Sequence, residues 1–164
     1  MDQQIQSKIF TESDKQKWND FIDNSHWGDL LQMWEWGDTK RIEGWDPVRI
    51  GVVKDGKLIL AAQCLIKPAN VLGNYIYIPH GPVFEEIAGL KMGIKVLKEA
   101  LLQLAKEREG FVIEIEPKIG FLPEELLATP IVSRNLQYLI DPSPFNILEA
   151  NGFIVTGRTF QVIK

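Results

Sequence analysis

Two β-rich runs, Val48 to Val53 and Leu58 to Ile66, flank Lys54-Asp55-Gly56-Lys57. An Asp-Gly pair between such runs is the strongest short-range signal for a tight hairpin, so the chain is committed early to an antiparallel sheet. A third run, Asn74 to Ile78, extends the meander and stops at Pro79-His80-Gly81-Pro82. Two prolines there withhold backbone donors and force an irregular exit. Beyond it, Ile87 to Arg108 places Leu90, Ile94, Leu97, Leu101, Leu102 and Leu104 on one stripe, with Lys91, Lys95, Lys98 and Glu99 on the polar side. That is the pattern of a long amphipathic helix.

The remaining segments complete the order. Thr11-Glu12-Ser13-Asp14 offers N-caps for a helix through Trp18, Phe21 and Ile22 that ends near Asn24-Ser25. A second helix is expected over Trp34 to Ile42, ended at Gly44; opened from near Leu31, it would stack Gln32, Trp36 and Lys40 on one face. Phe111 to Pro117 reads as a strand, Pro123 to Leu127 as a short helical turn, and Ser143 to Ala150 as a helix stopped by Asn151-Gly152. Strands follow at Phe153 to Val155 and from Arg158. Two helices, three antiparallel strands, a helix, a strand, a helix and two strands predict an α/β (α+β) domain, with a mixed, mostly antiparallel sheet flanked by helices.

At 164 residues and 45% hydrophobic content, the chain can bury one good core, and its length requires no second. A net charge of -4 argues against a surface built to neutralise nucleic-acid phosphates over a wide area and leaves room for a local basic groove. The lone cysteine, Cys64, lies in the apolar run Leu60 to Ile66, where a thiol is core filler, and no disulfide framework follows. His26 has no histidine or cysteine cluster beside it, so no metal site is expected. The first residues lack an apolar signal core and no run approaches the roughly 20 apolar residues of a membrane span, which leads us to expect a cytoplasmic location.

One segment is unusual: Trp34-Glu35-Trp36-Gly37-Asp38-Thr39-Lys40, followed by Gly44-Trp45, sets three tryptophans around one lysine. Spacing leaves two readings open. The tryptophans fill a core beneath a solvated lysine, or Lys40 stands beside Trp36 at the rim of a site.

The element order resembles the GNAT acyltransferase fold. In members that use acetyl-CoA, a glycine-rich turn after the fourth strand presents backbone N–H groups to the pyrophosphate. Here Pro79 to Pro82 removes donors, and Glu85 and Glu86 put carboxylates where the anion would sit, so no CoA and no other cofactor is expected. Three blocks give a sharper likeness: Trp36 to Lys40 with Gly44-Trp45, Tyr77 to Val83, and Ile113-Glu114-Ile115-Glu116-Pro117. In this order they resemble the Fem family of peptidoglycan bridge aminoacyltransferases.

That resemblance implies transfer of an amino acid from aminoacyl-tRNA to the stem peptide of a nucleotide- or lipid-linked cell-wall precursor, with peripheral membrane contact. Substrate-binding roles fall on Lys40, which would hold precursor phosphates, on Trp36 as its support, and on His80, Gly81 and Arg158. Glu116 is the expected catalytic carboxylate, orienting the incoming amine or holding a proton. Departures accompany the likeness: His80 stands where the family commonly has arginine, and Phe111 where some members have tyrosine. Family members carry two GNAT-like domains, so residues 1–164 are expected to form the first. The apolar run Arg158 to Lys164 is expected to lead toward the second. A stand-alone binding module and a CoA-dependent N-acetyltransferase remain the alternative readings.

Overall fold

The computed structural model describes residues 4–118, 143–156 and 159–163. Strands β1 (Ile5–Phe10), β2 (Asp46–Lys54), β3 (Lys57–Pro68), β4 (Asn74–Pro79), β5 (Val83–Phe84), β6 (Gly110–Glu116), β7 (Ile154–Thr156) and β8 (Thr159–Ile163) form one sheet. Helices α1 (Lys15–Asn24), α2 (Trp34–Ile42), α3 (Ile87–Glu107) and α4 (Ser143–Ala150) flank it. The strand order is β1-β2-β3-β4-β6-β8-β7, with β5 paired to β3. Among the described residues only β4 and β6 run parallel, joined through α3. The mixed, mostly antiparallel sheet expected from the sequence is present.

The hairpin forms as its turn residues require: Asp55 and Gly56 both take positive φ, the pairing geometry of a tight two-residue turn. Alternation then sorts each strand. Leu60, Ala62, Cys64 and Ile66 of β3, Ile76 and Ile78 of β4, and Ile113 and Ile115 of β6 are buried in one core with the stripe Leu90, Ile94, Leu97, Leu101 and Leu104 of α3. Cys64 is fully buried there, and burial holds its thiol well above the ordinary range, consistent with inert filler. The other face of β1, β2 and β3 packs Phe10, Val53, Leu58 and Ala61 against Trp18 and Ile22 of α1 and Trp34 of α2.

Three expectations need correction. The chain opens with a strand, β1, which the sequence reading omitted: four of its six residues are exposed, so an edge strand carries no apolar alternation. Leu30–Gln32 is a separate 3₁₀ turn, and Met33 is extended (ψ 150), so α2 runs Trp34–Ile42 as bounded from the sequence and does not extend back to Leu31. Gln32 therefore turns into the interior, fully buried, instead of sharing a face with Trp36 and Lys40. The two-residue β5 also escaped notice, being too short for any periodicity. The turn expected at Pro123 to Leu127 lies outside the described residues.

Candidate functional site

Helices α1 and α2 cover one face of the sheet over β1, β2 and β3. On that same face β4 and β6 present Tyr75, Tyr77, Glu114 and Glu116, since the alternate residues Ile76, Ile78, Ile113 and Ile115 point into the α3 core. Tyr75 Oη donates to Glu114 Oε2 at 2.7 Å, and Tyr77 Oη donates to Glu116 Oε2. The two phenol rings stack with centroids 6.0 Å apart and planes 12° from parallel. Burial, reinforced by the facing carboxylates, pushes both phenols well above the ordinary tyrosine range, so they stand as protonated donors. Glu116 sits at the carboxyl end of β6, beside Pro79 at the end of β4. Crevices beyond the carboxyl ends of parallel strands are where α/β sheets hold ligands.

The wall continues toward α2. The Trp45 ring lies 6.3 Å from Tyr75, and Lys67 Nζ stands 5.2 Å over Trp45. Trp45 N–H donates to Lys40 O at 3.1 Å, joining this wall to the end of α2. There Lys40 Nζ rests 4.8 Å above the Trp36 ring and bonds both Glu43 carboxylate oxygens at 2.8 and 2.9 Å. The open question about the tryptophans thus divides: Trp18 and Trp34 are core, while Trp36 and Trp45 are half-buried at the rim.

A buried polar network sets the position of α2. Strand β3 pairs with β4 from Leu65 onward and with β5 at Leu60 and Ala61, which leaves a gap between them. Gln32 fills it: its Oε1 accepts the Gln63 N–H at 2.7 Å and its Nε2 donates to Pro79 O at 2.6 Å. The Gln63 side chain donates to Leu31 O and Met33 O, both at 3.0 Å, and accepts from Arg49 Nε at 2.9 Å. Arg49, only 4% exposed, stacks 3.7 Å over the Trp34 ring and bonds Trp34 O and Asp38 Oδ1. Gly37 makes this approach feasible, because a Cβ there would meet Gln63 Oε1 at 2.3 Å and Arg49 Nη2 at 2.7 Å.

The exit turn of β4 is held by one carboxylate. Asp29 Oδ1 lies 3.0 Å from His80 Nδ1, and Asp29 Oδ2 lies 3.2 Å from Lys118 Nζ, two residues beyond Glu116. The His80 contact is close but not aligned as a hydrogen bond, and Nδ1 has no other partner and no solvent access. Burial pushes the Asp29 carboxyl upward, yet the Leu31 N–H, His80 and Lys118 together outweigh it and hold the group below its ordinary range. His80 takes φ +50, and Gly81 packs so tightly that a Cβ would come within 2.9 Å of the Gln32 side chain and of Ile78 Cγ2.

Of the residues expected to form a site, Trp36 and Lys40 stand together on α2, and Glu116, His80 and Gly81 gather at the carboxyl ends of β4 and β6. Arg158 lies outside the described residues. Sequence reasoning missed Tyr75 and Tyr77, although Tyr-x-Tyr beside Glu-x-Glu on adjoining strands was a usable signal. It also missed Asp29, Gln32, Arg49, Gln63 and Lys118, whose placement depends on tertiary contacts.

The sequence profile of the FemAB family matches residues 13–142, which include Lys40, Tyr77, His80 and Glu116. A lipid II:glycine glycyltransferase of Staphylococcus saprophyticus subsp. saprophyticus is 34% identical over 81 residues, 49% of this chain and 19% of that protein. The crystal structure of FemX superposes with a TM-score of 0.70 at 25% identity, over 93% of this chain and 33% of FemX. A probable acetyltransferase from Staphylococcus epidermidis shares the fold, with a TM-score of 0.57 at 12% identity over 98% of this chain and 99% of its own. The chain thus spans a fifth to a third of the Fem-type relatives and nearly all of a GNAT-type one. By its profile match over most of its length, the chain belongs to the FemAB family.

Proposed function

We propose that this chain is the precursor-binding lobe of a peptidoglycan bridge aminoacyltransferase, the first of two GNAT-like domains. The activity it serves moves an amino acid from aminoacyl-tRNA to the stem peptide of a cell-wall precursor in the cytoplasm. The observation that carries this reading is the match of the FemAB profile to the segment holding both the Lys40 rim and the Tyr77 to Glu116 face. A lipid-linked acceptor would bring the lobe against a membrane surface; among the described residues no helix is long and apolar enough to cross one.

The chemistry distributes over the face. Lys40, backed by Trp36 and balanced by Glu43, is a compact cation that a precursor phosphate can engage in place of Glu43. Trp45, Tyr75 and Tyr77 line the path from that cation to the strand ends. Glu116, with Oε2 held by Tyr77, keeps Oε1 for the acceptor amine and orients it toward the ester carbonyl of the donor. His80, Gly81 and Arg158 contribute to precursor binding. The test is calorimetric titration of this chain with UDP-linked muramyl pentapeptide, with acetyl-CoA in parallel. Saturable binding of the muropeptide supports the reading, and binding of acetyl-CoA alone returns the chain to the CoA-dependent transferases.

A further inference from the structure

We infer that Asp29 and His80 form a proton-handling dyad, with His80 Nε2 as the base that takes the proton from the attacking amine. The inference rests on the reading above and gives His80 a chemical role beyond precursor binding.

Four observations carry it. His80 Nδ1 faces the ionised Asp29 at 3.0 Å and is shut off from solvent, yet the side chain is 38% exposed. The exposure therefore lies on the other atoms of the side chain, and Nε2, unlike Nδ1, is not buried without a partner. A carboxylate 3.0 Å from one imidazole nitrogen favours the tautomer with the proton on that nitrogen, because the alternative sets a lone pair against the negative charge, and it leaves the other nitrogen as acceptor. Asp29 is itself over-determined, held by the Leu31 N–H at 2.9 Å and by Lys118 at 3.2 Å, so it can orient a ring without yielding. Finally, His80 adopts φ +50, a left-handed conformation uncommon for residues other than glycine, and one residue before it Pro79 is the register partner of Glu116.

The charged groups around this corner are Asp29 from the turn before Leu30, and Glu116 and Lys118 from the end of β6. Glu116 is held at Oε2 by Tyr77 and Lys118 is engaged by Asp29, which leaves His80 Nε2 as the acceptor turned away from Asp29 at this corner. As the amine nitrogen bonds to the ester carbonyl carbon, its proton passes to Nε2. When the carbon–oxygen ester bond breaks, the departing ribose oxygen takes that proton from Nε2–H, and His80 returns to its starting form. Bonds and protons balance without a further reagent. Asp29 is a positioning residue in this scheme and His80 the catalytic one.

The test is nitrogen-15 NMR of the His80 ring in this chain, at mildly alkaline pH, with and without UDP-linked muramyl pentapeptide whose stem peptide carries lysine. Indole signals report binding independently. The inference predicts that Nδ1 carries the proton in the free chain. It also predicts that the ligand shifts the Nε2 signal, and that acetylating the lysine amine removes that shift while the Trp36 indole still responds. A proton on Nε2 in the free chain would overturn the dyad. So would binding seen at Trp36 with His80 unmoved, or moved equally by the acetylated ligand, and either result leaves the functional reading standing. Absence of any binding would bring down that reading and the inference with it.

Discussion

Gln32 Oε1 accepts the backbone N–H of Gln63 at 2.7 Å, at the place where β3 has lost β4 and not yet met β5. A side chain thus stands in for a missing strand. Its amide nitrogen completes the repair by donating to Pro79 O. The turn ahead of α2 and the exit of β4 are therefore one mechanical unit. Gln32→Leu would leave the Gln63 N–H and the Pro79 carbonyl unsatisfied in the interior, a loss of roughly 2 to 4 kcal/mol in all. Urea unfolding of wild type and variant measures this directly.

Gly37 gives a test with an informative sign. On an open helix surface, Gly→Ala would stabilise by about 1 kcal/mol. Here the new Cβ would press on Gln63 Oε1 and Arg49 Nη2, so Gly37→Ala is expected to destabilise by roughly 1 to 3 kcal/mol. A rise in midpoint for Gly37→Ala would show that the buried network does not fix α2.

The two phenols set an alkaline limit. Their folded pKa values are raised, so the stability they contribute is complete below the unfolded tyrosine value of about 10 and is lost as pH climbs toward the folded values. Stability should fall above pH ~10, and the double variant Tyr75→Phe with Tyr77→Phe should show a shallower fall. Chemical denaturation across that pH range reads the difference in slope.

Asp29 sets the opposite limit. Its folded pKa is lowered, so its contribution is present above the unfolded value of about 3.9 and disappears as pH drops through the folded value. Asp29→Asn is expected to flatten the acid limb of the stability profile and to loosen Lys118, with little effect near neutrality beyond the lost ion pairs.

Lys40 separates function from stability. Its pair with Glu43 is a surface contact, worth about 0 to 1 kcal/mol. Lys40→Ala should therefore leave the unfolding midpoint almost unchanged. A charge-assisted bond to phosphate contributes about 1.5 to 3 kcal/mol, so the same change should weaken precursor binding by roughly tenfold to a hundredfold. Calorimetry and unfolding of one variant give both numbers.

How much of this was visible in the sequence depended on whether a signal was local. The Asp55-Gly56 hairpin and the α3 stripe follow from turn chemistry and spacing, and they stand as expected. The strand β1 was hidden because an edge strand exposed on both faces loses its alternation. Gln32, Arg49 and Gln63 were illegible for another reason. Polar residues in a pattern read as surface, and only the gap between β4 and β5 makes burying them favourable. Tyr75 and Tyr77 belong between these cases. Their spacing was plain, but their parallel partner β6 lies some 40 residues away along the chain, so the pairing with Glu114 and Glu116 needed the fold.

The most direct test of the account follows the indole N–H signals of this chain by NMR as UDP-linked muramyl pentapeptide is added. Trp36 and Trp45 line the proposed precursor face, whereas Trp18 and Trp34 are buried in the core with donors already engaged. The account predicts saturable shifts of Trp36 and Trp45 with Trp18 and Trp34 unmoved, and loss of those shifts in Lys40→Ala. Saturable binding that leaves Trp36 and Trp45 unmoved, or no binding at all, would contradict it.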